Sequence, residues 1–134
     1  MMKICHIISG DLWAGAEVMC HSLLKGLKQY DNLTLHAILL NESKLTEEIK
    51  KLGIRVNIVN ENEKSFINIV AETGRILKNI NPDIVHSHEY KENVISFLSS
   101  RLLRNTGLIA TQHGMPQFIN KGLSFNKMIV SSCN

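Results

Sequence analysis

Three short segments of the sequence carry residues whose types and spacing could do chemistry. They are the loop 10–15 (GDLWAG), the segment 86–89 (HSHE) and the segment 112–114 (QHG). Glycine lets a backbone approach a ligand closely, and imidazole can donate, accept or carry a proton near neutral pH. Each segment is therefore a candidate ligand site, and each also has a purely structural interpretation.

The loop 10–15 lies between a predicted strand and a predicted helix. Free N–H groups and the helix dipole at such a junction favour an anion such as a phosphate. The two glycines, Gly10 and Gly15, are five residues apart, and no Gly-Lys-Ser/Thr ending follows. The loop is therefore neither a P-loop nor a G-x-G-x-x-G fingerprint. A plain turn with a helix-capping glycine is the alternative.

The segment 86–89 holds two histidines at a spacing that places both on one face of a strand. Together with Glu89 and His113 they suggest a metal site, but two histidines without a second carboxylate cluster are weak evidence for one. We therefore expect no metal and no cofactor. We also expect His86 to be buried in the sheet and His88, at the end of the strand, to reach a ligand.

The segment 112–114 places His113 directly after a predicted strand and before Gly114. A histidine there could donate a hydrogen bond to a phosphate or sugar oxygen. A turn histidine satisfied by the backbone is the alternative. The other strand histidines, His6 and His36, are expected to be core or packing residues.

Short apolar runs alternate with amphipathic helical stretches along the chain. The periodicity predicts strands over 3–9, 33–40, 54–59, 83–87 and 108–111, a sixth over 128–130, and helices over 15–29, 43–52, 64–80 and 89–104. This alternation predicts an α/β fold, a Rossmann-like doubly wound parallel sheet with helices on both faces. The inward residues are expected to include Met19, Cys20 and Leu23 in the first helix, and Ile95 and Leu102 in the last.

The composition narrows the class of protein. The 134 residues, 44% apolar and 20% charged, suit one globular domain spanning 1–134. A net charge of +3 with scattered basic residues does not favour nucleic acid. Three cysteines without a C-x-x-C pair favour reduced thiols and a cytoplasmic location. We find no signal peptide, and no run approaches the roughly 18 apolar residues of a membrane span.

Four segments in order carry a family resemblance: 3–9 (KICHIIS), 14–17 (AGAE), 81–88 (NPDIVHSH) and 110–114 (ATQHG). The chain resembles the N-terminal, acceptor-side domain of retaining glycosyltransferases of GT-B fold, the family 4 type. Members typically read G-G-A-E, P-D-[IV]-[IV]-H-x-H and T-x-H-G at these places. The resemblance covers essentially the whole chain and departs at Ala14, where the first glycine usually stands, so the backbone approach to a phosphate is expected to shift.

The resemblance implies roles for particular residues. His113 would lie near the transferred sugar as the catalytic residue. Gly15, Ala16 and Glu17 would face the donor diphosphate, and the acceptor side would be lined by Gly10, His88, Glu89 and Gly114. The implied partners are a nucleotide-sugar donor and a saccharide or lipid-linked acceptor, with a donor-binding domain or partner chain completing the enzyme.

The chain ends directly after its last strand-like run, so we expect a truncated domain that is inactive alone. A non-catalytic subunit paired with a donor-binding chain is one alternative. A dinucleotide-binding oxidoreductase domain, with Glu42 as its acidic residue, is a weaker one. The loop 115–127 could touch a membrane surface, although an ordinary loop is the simpler interpretation. An exposed sheet edge would be compatible with a homodimer.

Overall fold

A computed structural model describes residues 1–113, in which five strands alternate with four helices. The elements are β1 (Met2–Ile8), α1 (Gly15–Leu27), β2 (Leu33–Leu39), α2 (Lys44–Lys51), β3 (Arg55–Ile58), α3 (Phe66–Ile80), β4 (Ile84–His88), α4 (Tyr90–Ser99) and β5 (Gly107–Thr111). The predicted order of strands and helices is confirmed over this range. The predicted sixth strand, the loop 115–127 and Gly114 lie outside the described residues.

The five strands form one parallel sheet in the order β3-β2-β1-β4-β5. The chain builds outward from β1 to β2 and β3, then crosses back to place β4 on the other side of β1. The register sets Cys5 opposite His36 of β2 on one side and Val85 of β4 on the other. The Rossmann-like α/β class is confirmed, and the strand order reverses between β1 and β4.

Successive residues of β1 pack against two different cores, one on each face of the sheet. Ile4 and Ile8 join the core beneath α1 and α2, whereas Cys5 and Ile7 join the core beneath α3 and α4. This alternation follows from the two-residue period of a strand. Because β1 is covered on both faces from Ile4 to Ile8, this part of the strand is apolar except for the buried His6.

The face that α1 turns to the sheet differs from the predicted one. Cys20 and Leu24, one helical turn apart, are buried, whereas Met19 is 59% exposed and Leu23 37% exposed. The periodic apolar pattern of α1 is wider than the stripe that the sheet covers. The prediction that Met19 and Leu23 face the core is therefore wrong.

The last helix is shorter than predicted and its buried face is partly polar. It ends at Ser99, and Leu102, which was expected to point inward, is 92% exposed. Ile95 is buried together with Ser96 and Ser99. Small side chains suit this face because α3 approaches closely: a Cβ added at Gly74 would lie 3.2 Å from the Ser99 carbonyl oxygen.

None of the helices within residues 1–113 is long and apolar enough to cross a membrane.

Candidate active site

The carboxyl ends of the strands bring the predicted segments to one edge of the sheet. The loop 10–15 follows β1, His88 closes β4, and His113 comes two residues after β5. Since β1 and β4 flank the point where the strand order reverses, this edge is where open α/β sheets bind ligands. The three predicted segments therefore converge on the expected place.

The N-terminus of α1 presents an open backbone surface. The helix begins at Gly15, and no side chain caps it. A Cβ placed on Gly15 would meet no atom within 4 Å. Ala14 has φ −130° and ψ −165°, an extended conformation that alanine adopts without strain. The left-handed conformation falls instead on Gly10, with φ +76°. Ala14 therefore does not distort the start of the helix.

Four histidines form a network of stacked and hydrogen-bonded rings beside this helix terminus. His6 and His86 are register partners on β1 and β4. His6 Nδ1 and His88 Nε2 are 3.2 Å apart, and His86 Nε2 lies 2.7 Å from Thr111 Oγ1. The ring of His113 stacks on that of His88, with centroids 5.9 Å apart. Sequence reasoning missed His6, since only strand pairing places it beside His86.

We define the histidine network as His6, His86, His88 and His113, and burial lowers the pKa of the first three. Burial, reinforced by the neighbouring rings, lowers the pKa of His6 to about 3 and that of His88 to about 3. Burial also lowers the pKa of His86, with a further contribution from His113. Neutral imidazoles can each donate one hydrogen bond and accept one.

Three members of the network are close enough to share an ion. Ring nitrogens of His6, His86 and His88 all lie within 4.8 Å of one another. However, the His6 and His88 centroids are 5.5 Å apart, which is the 3.2 Å distance between their nitrogens plus the radii of the two rings. These two rings therefore meet edge to edge through a hydrogen bond, which an ion bound between them would have to replace.

The burial of the two β4 histidines is the reverse of the prediction. His88 is only 1% exposed, whereas His86 is half-buried. His88 is enclosed because His6 and His113 contact it from two sides. His86 is the register partner of Ile109 on β5. Ile109 is 45% exposed, so this part of the sheet is only partly covered. A ligand would therefore reach His88 through its neighbours rather than directly.

Glu89 occupies a strained turn between β4 and α4. Its φ of +78° and ψ of 164° lie in a region that residues other than glycine rarely adopt. Its N–H donates a 2.8 Å hydrogen bond to the Thr111 carbonyl, which fixes the turn to β5. Such strain is concentrated at functional sites, and here it lies beside the histidine network.

Glu92, one turn into α4, is a buried carboxyl that sequence reasoning missed. It is 1% exposed, and its Oε1 has no hydrogen-bond partner among the described residues. Burial raises its pKa to about 7, against smaller opposing effects of a backbone hydrogen bond and of Lys91. The side chain is therefore substantially protonated near neutral pH.

Polar side chains also link the ends of β1, β2 and β3. Asn41 donates hydrogen bonds to Asp11 and to Glu61, the latter at 2.8 Å, and accepts one from Asn62 at 2.9 Å. Glu61 is also paired with Lys91 at 2.7 Å. This arrangement borders a cavity of about 330 Å³ that opens next to Gly10.

A larger cavity of about 850 Å³ lies at the opposite end of the sheet, around Lys3, His36 and Arg55. It borders the amino ends of β2 and β3, away from the histidine network. Because parallel sheets bind their ligands beyond the carboxyl ends of the strands, size alone does not make it the better candidate.

The fold and this edge define a Rossmann-like α/β domain with a ligand site at its topological switch point. The family model for Glycosyltransferase Family 4 matches residues 13–132, and the chain belongs to that family. The resemblance of the sequence to an N-terminal glycosyltransferase domain is thereby confirmed. No match is found among curated proteins.

Solved structures support the same fold. A glycosyltransferase from Rickettsia africae ESF-5 matches 95% of the chain with a TM-score of 0.72 at 24% identity. The chain spans 33% of that protein's length. A glycinamide ribonucleotide transformylase from Symbiobacterium toebii matches 98% of the chain, and 60% of its own length, with a TM-score of 0.57 at 15% identity. At these identities the two structures bear on the fold alone.

Proposed function

We propose that the chain is the acceptor-side domain of a retaining glycosyltransferase that moves a sugar from a nucleotide-sugar to a saccharide or lipid-linked acceptor. The observation that carries the proposal is the histidine network at the switch point, on the same sheet edge as the uncapped N-terminus of α1, in a member of Glycosyltransferase Family 4. A phosphate-binding helix terminus and hydroxyl-binding imidazoles are the groups that such a transfer requires.

The donor diphosphate would lie at the start of α1. The backbone N–H groups of Gly15, Ala16 and Glu17 are in the first turn, where three or four N–H groups have no partner within the helix. They point along the positive end of the helix dipole, equivalent to roughly half an elementary charge. The absence of a side chain at Gly15 lets an oxygen approach this backbone closely.

His113 would bind the sugar being transferred or the attacking hydroxyl. Its Nε2 is buried and has no partner among the described residues. Its stacking on His88, which in turn contacts His6, holds the ring in place. Glu89 and Gly10 would complete the acceptor side of the cleft. Gly114, proposed for the same side, lies outside the described residues.

Stabilisation of the departing diphosphate would come from a donor-binding domain outside these 134 residues. Electrostatic stabilisation of developing charge is usually the largest catalytic contribution. Lys91, a basic side chain near the cleft, is already paired with Glu61. We therefore propose that the chain alone is inactive and that the transfer requires no metal ion.

A transfer assay with labelled nucleotide-sugars tests this proposal. The chain alone should give no product, and addition of a donor-binding half, fused or separate, should give activity that His113→Ala lowers by about 10²-fold or more. Robust transfer by the chain alone would contradict the proposed inactivity. A complemented chain that binds donor without transfer would favour a non-catalytic subunit, and tight binding of NAD would favour an oxidoreductase domain.

A further inference from the structure

The 330 Å³ cavity at the ends of β1, β2 and β3 has an unusual lining. It is bordered entirely by glycine, amide, hydroxyl and carboxylate groups: Gly10, Asp11, Asn41, Glu42, Ser43, Asn60 and Asn62. We call this cavity the amide-acid pocket. Its volume is at the lower end of the range for small-molecule sites. The space suits one small polar unit rather than an extended apolar group.

The amide-acid pocket is held in shape by its own hydrogen bonds. Both N–H groups of the Asn41 amide are donated, one to Asp11 and one to Glu61, and its oxygen accepts from Asn62. The Asn62 backbone N–H donates to Asn60 Oδ1 at 3.0 Å. Both donors of the Asn41 amide are therefore used and Asn41 acts as a positioning residue, while the surrounding groups keep hydrogen-bonding capacity for a ligand.

The lining of the pocket also carries a net negative charge. Asp11 and Glu42 contribute carboxylates and no basic side chain lines the cavity. The ammonium group of Lys91 is held by Glu61, 2.7 Å from its Oε2. In addition, Ser43 Oγ is buried beside the capping box that it forms with Thr46 at the start of α2, and its O–H can still donate a hydrogen bond.

We propose that the amide-acid pocket binds one sugar ring of the acceptor, and that this ring is neutral or amine-bearing. Carboxylates and amide oxygens accept hydrogen bonds from sugar hydroxyls or an ammonium group, and the amide N–H groups donate to ring and hydroxyl oxygens. A uronic acid or phosphorylated sugar would place a negative charge beside Asp11 and Glu42. The like charges would repel it.

The inference rests on the proposed function, because only an acceptor-side domain has an acceptor to select. Binding of a free sugar can nevertheless be measured without any donor. Failure of sugar binding alongside successful transfer would therefore count against this pocket alone. Sugar binding without any transfer would count against the proposed function alone.

The test is an NMR titration of the ¹⁵N-labelled chain with glucose, glucosamine and glucuronate. These sugars share one ring type and are neutral, positively charged and negatively charged, respectively. Glucose and glucosamine should shift the side-chain amide signals of Asn60 and Asn62. Glucuronate should bind at least about tenfold more weakly, since two like charges near a protein surface repel by more than the energy of a tenfold change.

A pair of isosteric variants assigns the selectivity to the pocket. Glu42→Gln should narrow the difference between glucose and glucuronate several-fold, whereas Glu47→Gln, exposed on α2 outside the cavity, should leave it unchanged. Equal binding of glucuronate, no amide shift with any of the three sugars, or shifts produced only by Mg²⁺ or Ca²⁺ would overturn the proposal.

Discussion

Among single residues, the buried histidines and the buried glutamate respond to pH in opposite directions. Burial favours the neutral form of each group, so it lowers the pKa of His6 and His88 and raises that of Glu92. Neither the neutral imidazoles nor the protonated carboxyl carries a full charge in the core. Titration of the folded chain should separate these two effects.

The histidine network should make the folded state weaker in mild acid. The pKa of His6 is about 3 in the folded chain, against an ordinary value of 6.5, so the unfolded chain binds more protons below pH 6.5. The stability that the neutral form of His6 contributes is therefore fully present above pH 6.5 and is lost as the pH drops toward 3. Each such histidine contributes up to about 1.4 kcal/mol per pH unit in that window.

Urea unfolding at about pH 7 and about pH 5 checks this expectation. The loss of stability between the two should be smaller in His6→Gln than in the unsubstituted chain, by about 1–2 kcal/mol. His21→Gln, on α1 and outside the network, should retain the full loss. Parallel pH profiles for all three proteins would contradict the lowered pKa of His6.

Glu92 should have the opposite effect at higher pH. Its pKa is raised from 4.5 to about 7, so the folded chain holds a proton that the unfolded chain releases between these values. The contribution of Glu92 to folding stability is fully present below pH 4.5 and is lost as the pH rises through 7. Glu92→Gln removes the ionisation and should raise stability at about pH 8 by about 2 kcal/mol, with little change at about pH 5.

The matched control for Glu92→Gln is Glu63→Gln, at an exposed position in the chain. It should alter stability by no more than about 0.5 kcal/mol at either pH. If Glu92→Gln fails to gain stability at the higher pH, the Glu92 carboxyl is not held in its protonated form.

The residue types of the site could be predicted from the sequence, but not all of their surroundings. His88, Glu89 and His113 lie at the predicted edge because each follows a recognisable strand. His6 was assigned to packing, since its contact with His88 depends on which strands are neighbours. Glu92 gave no signal, because a glutamate early in a helix is normally solvated.

At the scale of elements, the loop 10–15 uses its two glycines for different purposes. Gly10 needs its left-handed φ of +76°, and a Cβ there would approach Leu39 and Ser43 to 3.1 Å each. Gly15 has no such constraint and faces open space. The first glycine therefore shapes the loop, and the second leaves the helix terminus open.

Alanine substitutions should separate these two roles. Gly10→Ala should lower the free energy of unfolding by about 1–2 kcal/mol because of strain and crowding. Gly15→Ala should not destabilise the chain, and should gain up to about 1 kcal/mol from helix propensity. It should nevertheless weaken nucleotide-sugar binding, since its methyl group would occupy the approach to the N–H groups. Chemical denaturation and ligand titration of both variants provide the measurement.

A stability loss in Gly15→Ala equal to that in Gly10→Ala would contradict this division of roles. So would unchanged nucleotide-sugar affinity in Gly15→Ala, because the open N-terminus would then not be where the ligand approaches.

Element order followed from periodicity, whereas element faces and ends did not. The apolar positions of α1 span a broad arc, and only tertiary packing selects Cys20 and Leu24 over Met19 and Leu23. The predicted end of α4 was too late because the apolar Leu102 extended the pattern beyond Ser99. Local sequence therefore predicted the presence of each element better than its packing.

For the whole molecule, the proposed function would bring donor and acceptor together at one edge of the sheet. The strand order reverses between β1 and β4, and the histidine network and the start of α1 lie at that reversal. The amide-acid pocket extends the same edge toward β2 and β3. Under the proposed function, the diphosphate would lie between this domain and a second one.

The most direct test of this central claim is to map nucleotide-sugar binding on the ¹⁵N-labelled chain by its backbone amide signals. The account predicts weak binding that shifts the amides of Gly15, Ala16 and Glu17 together with His113, and that disappears when the diphosphate is removed from the ligand. Shifts confined to the amino ends of the strands, around Lys3 and Arg55, would contradict it, as would NAD binding more tightly than any nucleotide-sugar.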